Sequence, residues 1–141
     1  MSPYAALLSV RQVEEQQAEV ALAEALRDVA TIGKLLGQYR QARAAWLSGS
    51  RGDGRLADGI QEALLQLEAA ERETSVRLEG AEQVAEAART TLLDRQRQRK
   101  VVERLHLEAL AAAARASARR LQAEMDELGG RAARTLSGAS S

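Results

Sequence analysis

Few residues of this chain have the type and spacing to do chemistry. Glu103 and His106 stand three apart, the spacing at which a carboxylate and an imidazole converge on one helix face and at which helical bundles hold paired iron ions. Such a site needs two of these pairs and two further glutamates from other helices. The chain has one histidine, so a second copy would have to supply the rest. Arg95, Arg97, Arg99 and Arg104 would also repel a cation there. His106 therefore reads as a surface or interface residue. There is no cysteine, which excludes disulfides and cysteine-ligated metals.

Other chemical readings are weaker still. "GSRGDGR", residues 49–55, is glycine-rich but lacks the Gly-Lys-Ser/Thr ending of a phosphate loop and follows no strand. Its triplet Arg51-Gly52-Asp53 matches an adhesion sequence, yet nothing else suggests an extracellular protein. A nucleophilic triad would need a rigid pocket. The basic run "RQRQRK", residues 95–100, has no aromatic interleaving and sits in a chain of zero net charge, a poor electrostatic footprint for nucleic acid. No catalytic, cofactor or metal residue is assigned.

The elements that carry these residues are helices. Among 141 residues there is no Phe, one Trp, two Tyr and one Pro. Large apolar side chains are too scarce for an ordinary compact core, while Ala, Leu, Arg, Gln and Glu all favour helix. Residues 62–86 hold seven Glu against Arg72 and Arg77, whereas residues 95–104 carry a balance of plus four. Such segregation marks solvated helix faces or partner surfaces. No stretch approaches the roughly 20 apolar residues of a membrane span, and the N-terminus turns acidic too soon for a signal peptide.

Alternating steps of four and three residues give Leu22, Ala25, Val29, Ile32, Leu36, Tyr39, Arg43 and Trp46, the spacing of a coiled-coil seam. Traced backwards the same row meets Leu8 but also Arg11 and Glu15, so the stripe blurs near the start. A second seam begins Ile60, Leu64, Leu67 and continues through Glu71, Thr74, Leu78, Ala81, Ala85, Ala88 and Leu92. Ser2-Pro3 suits the start of the first helix. Asp58 with Gln61 resembles a capping box for the second, and Gly129-Gly130 suits its stop. Four of the ten glycines fall within residues 46–59, where both seams are richest, so this tract reads as the tip of a hairpin.

The expected fold is all-α: one long two-helix antiparallel coiled-coil hairpin with a protruding C-terminal helix. Residues 4–47 form the first helix, 48–57 the tip, 58–128 the second helix and 129–141 a flexible tail. The arms would be roughly 65 Å and roughly 105 Å long. A fold-back centred at residue 53 places Tyr4 opposite about Val102, leaving residues 103–128 without a partner inside the hairpin. Leu105, Leu110, Leu121, Met125 and Leu128 then need cover from another molecule, or the segment frays.

The order of these features resembles the FliJ family of the flagellar type III export apparatus. The likeness runs from "LLSVRQVEEQQAEVALAEA" through "LLGQYRQARAAW" to "LLDRQRQRKVVERLHLEALAAAARASARRLQAEMDEL". Its last part carries an arginine-rich run, a lysine, a Glu-x-Leu step and an acidic close: Arg95, Arg97, Arg99, Lys100, Glu103, Leu105, Glu124, Asp126, Glu127 and Leu128. The resemblance implies a non-enzymatic stalk that binds the hexameric FliI-like export ATPase, promotes its assembly and couples it to the FlhA-like export gate. It also implies escort of export chaperones, no cofactor, and a cytoplasmic place peripheral to the inner membrane at the flagellar base.

By position the family's gate contact maps to Leu36, Tyr39, Arg43, Ile60, Leu64, Leu67 and Glu71, although Arg43 departs from an aromatic and Glu71 from a histidine. The ATPase contact maps to Arg95, Arg97, Arg99, Lys100, Glu103, Arg115 and Arg119. All seven gate positions also lie on the seam, where packing alone would explain their apolar character. Two alternatives stay open beside the flagellar stalk: the equivalent stalk of a virulence injectisome, and a coiled-coil adaptor that self-associates.

Overall fold

The structure, a computed structural model, describes residues 2–49 and 57–139. It is all-α: two long helices that pack against each other, with no strand among the described residues. Helix α1 spans Ala5–Gly49 and α2 spans Ala57–Ala139. The start of α1 is built as expected at Ser2-Pro3. The Tyr4 amide donates to Ser2 Oγ at 3.2 Å, and the Ala5 amide to the Ser2 carbonyl at 3.3 Å. Ser2 thereby serves amides that the first turn leaves free. The tip, with Arg51-Gly52-Asp53, and the Asp58 side chain expected to cap α2 lie outside the described residues.

The chain divides into two units, Glu14–Gln96 on one hand and Met1–Val13 with Arg97–Ser141 on the other. In the first, α1 and α2 run antiparallel. Arg43 Nε lies 3.0 Å from Glu71 Oε1 near one end of the pair, and Arg95 Nη1 lies 3.1 Å from Glu14 Oε2 near the other. A fold-back centred at residue 53 would have set Glu14 opposite position 92. The same centre would have set Arg43 opposite position 63, so the two pairs place the register three to eight residues further along α2, because seam packing and cross-helix pairs fix it rather than the midpoint of the glycine tract.

The seam of this unit follows the alternating row. Its most buried points are mostly small: Ala18, Ala25, Thr74 and Ala85 are buried, with Leu36 the one large residue among them. Small side chains let two helix backbones approach, and the leucines and isoleucines beside them are half-buried. Two helices offer no third layer, so no side chain among the described residues is wholly enclosed. Trp46, expected on the seam, departs from it and is 45% exposed.

In the second unit the row continues on α2 through Arg99, Val102, His106 and Ala109, all half-buried or buried, and on α1 through Tyr4, Leu8 and Arg11. The blurred stripe near the start is thus the same seam carrying polar residues. Beyond Ala109, α2 is almost entirely exposed.

The stop expected at Gly129-Gly130 is not there: α2 runs on to Ala139, through most of the segment expected to be flexible. A glycine ends a helix when it takes a positive φ, and no described glycine does. Side chains bracket the site instead. Arg131 pairs with Glu127 at 2.8 Å, Arg134 Nε donates to the Gly130 carbonyl at 3.3 Å, and Thr135 Oγ1 to the Arg131 carbonyl at 2.9 Å. Two glycines cost about 2 kcal/mol of helix propensity relative to alanine, and these local contacts with alanine-rich flanks offset it.

Candidate partner-docking surface

The positions expected to meet the gate lie together on the α1–α2 seam of the first unit. Leu36 is 4% exposed, and Tyr39, Ile60, Leu64 and Leu67 are half-buried. Arg43 and Glu71 face one another across the two helices, their side chains 40% and 14% exposed. A carboxylate so far removed from water needs a counterion, and Arg43 supplies it. The two positions at which the expected resemblance fails are thus one interaction.

Where α1 ends and α2 begins, Ala45, Trp46, Gly49, Gly59 and Ile60 line an open apolar hollow of about 560 Å³. Trp46 was not singled out as a contact residue. Its being the chain's one tryptophan, beside the glycine tract, was the available signal, since aromatic anchors are enriched at interfaces.

The seven positions expected to meet the ATPase are spread more widely. Arg95 is spent within the first unit on Glu14. In the second unit Arg99 Nη1 meets Glu103 Oε2 at 2.6 Å, one helical turn apart. That pairing gives Glu103 a cation; His106 Nδ1 is buried without a hydrogen-bond partner among the described residues. Lys100 is exposed and borders a hollow shared by Arg99, Glu103, Arg104, Leu107 and Glu108. Arg97 lies beside Arg11, Gln98, Val101 and Val102 on the opposite side of the seam row. Arg115 and Arg119 stand further along α2, exposed, with Arg119 Nε donating to the Arg115 carbonyl at 3.5 Å.

No group of three or more potential metal ligands occurs among the described residues. No helix of the described residues is long and apolar enough to cross a membrane. What the surface offers is apolar cover: Leu107, Leu110, Leu121, Met125, Leu128 and Leu136 of α2 are all exposed. Single exposed leucines are ordinary, but a row of them on one helix marks a place for a partner.

Compared with known proteins, the chain matches the family model described as the flagellar FliJ protein over residues 1–136. No curated protein and no solved structure matches it.

Proposed function

Because the chain belongs to the flagellar FliJ family and is thus a component of the flagellar export apparatus, we propose that it serves as the central stalk of the export ATPase. The exposed part of α2 enters the opening of the hexameric ring, favours ring assembly and links the ATPase to the export gate. Escort of export chaperones belongs to the same reading.

One observation carries it. Residues 110–138 form helix with nearly every side chain exposed, including five of the large apolar residues named above. A helix of this kind is marginal alone in water and gains from being surrounded. Small alanine side chains between arginines suit a shaft that must fit a narrow opening, with cations positioned for acidic or carbonyl groups on its wall. Arg97, Lys100, Arg115 and Arg119 are exposed and able to take that role, while Arg99 and Glu103 already hold each other.

The gate would be met from the first unit. There Leu36 holds the helices together. The half-exposed edge of Tyr39, Arg43, Ile60, Leu64, Leu67 and Glu71 is the part left for contact.

The test is ATP hydrolysis by the cognate export ATPase with this chain titrated in and ring formation followed by light scattering. Saturable stimulation with hexamers appearing is expected, and a chain ended after Ala109 should lose it. Neither stimulation nor association would leave a coiled-coil adaptor in place of the stalk.

A further inference from the structure

The exposed part of α2 has a geometry of its own, independent of any ATPase. At 3.6 residues per turn, Leu107, Leu110, Leu121, Met125, Leu128 and Leu136 fall within a band roughly 80° wide, centred roughly 100° around the helix from the seam row Arg99, Val102, His106 and Ala109. The band is therefore not the seam prolonged. With Ala114, Ala118 and Ala132 in the gaps, its mean step is about 3.6 residues, so it runs straight along the helix; the seam, at about 3.5, must wind.

No charged residue interrupts the band from Leu107 to Leu136. Charges flank it. Arg115 and Asp126 stand on one side, Arg120 and Glu124 on the other. None of these four makes an ion pair among the described residues; Asp126 accepts from the neutral amide of Gln122 at 3.0 Å.

We propose that this band is a self-complementary surface on which a second copy of the chain docks antiparallel, with the two-fold axis passing beside Leu121. Under that symmetry Leu121 meets Leu121 of the other copy, and large side chains otherwise meet mostly small ones: Leu128 on Ala114, Met125 on Ala118, Leu110 on Ala132. A two-fold axis perpendicular to both helices brings each flank of one copy against the same flank of the other. Arg115 then meets Asp126 on one side, twice, and on the other each Arg120 lies as near to Glu124 of the second copy as to its Arg120. Parallel pairing lacks this match. It sets Arg119 beside Arg120 and Asp126 beside Glu124, like on like, and stacks alanine on alanine. Opposite charges across a helix pair set orientation as well as partner.

The chain has no cysteine, so single ones can report the geometry. In the full chain, Leu121→Cys should form a disulfide-linked dimer under mild oxidation. Leu107→Cys should not cross-link with itself but should with Leu136→Cys in an equimolar mixture. By sedimentation the native chain should dimerise in the micromolar range. Arg115→Asp with Arg120→Glu should weaken that at least about tenfold, and adding Asp126→Arg with Glu124→Arg should restore it, helicity staying unchanged throughout. A chain monomeric up to about 0.1 mM, or Leu107→Cys cross-linking with itself as readily as Leu121→Cys, would overturn the proposal.

Discussion

Two stretches of similar composition behave differently in this protein. Between Glu14 and Gln96, α1 and α2 cover one another, and Leu36 retains 4% of its exposure. Between residues 110 and 138 the same kinds of residue form helix without a facing element in their unit, and Leu128 keeps 62%. Ala, Leu, Glu and Arg at high density give helix in both. The difference is tertiary: burial needs a second helix with the right row. Local propensity makes the helix, and the row decides whether it is a structural seam or a surface held for a partner.

The largest expected effect separates these two leucines. Leu36→Ala should destabilise the chain by about 3 kcal/mol in urea unfolding, since a buried methylene cluster is lost from a two-helix seam with little left to repack. Below the concentration at which the chain dimerises, Leu128→Ala should change it by less than about 0.5 kcal/mol, as exposed positions usually do. Equal effects would dissolve the distinction.

Next in size is the charged pair within the seam. Arg43→Ala should cost about 1–2 kcal/mol, because Glu71 is left largely buried without its counterion. Placing Glu71→Leu in that background should recover most of the loss, as removal of both charges restores an apolar contact. If Arg43→Ala were silent, the pair would carry no share of the register.

The smallest effects sharpen the comparison from the backbone. Gly37 lies within α1 with open space where a Cβ would sit. Gly37→Ala should raise stability by about 0.5–1 kcal/mol in the same unfolding experiment. Gly129→Ala has equal room. It should leave the unfolding midpoint unchanged while slowing amide exchange nearby, since that part of α2 opens separately from the seam.

Much of this was legible in the sequence. The four-three rows located both seams, and the same rows pass through Arg11 and Glu15 into the less apolar start of α1. Periodicity survives polar substitution when the helix register is fixed elsewhere. Trp46 is on the row by spacing yet 45% exposed, lining an open hollow with Gly59 and Ile60 rather than packing tightly on α2. Gly129-Gly130 misled for another reason. Glycine permits a stop without requiring one, and the Glu127–Arg131 pair with alanine-rich flanks carries the helix across. The gate and ATPase positions came from family likeness. Spacing could identify them as seam or surface, but the partner's shape is not written in this chain.

Amide hydrogen exchange tests the division between seam and shaft most directly, with the chain well below the concentration at which it dimerises, alone and with the cognate export ATPase. The account predicts slow exchange over the seam segments within 14–96 in both samples. Residues 110–138 should exchange fast in the free chain and become protected when the ATPase is added. Protection confined to the seam segments, with residues 110–138 equally fast in both, would contradict it.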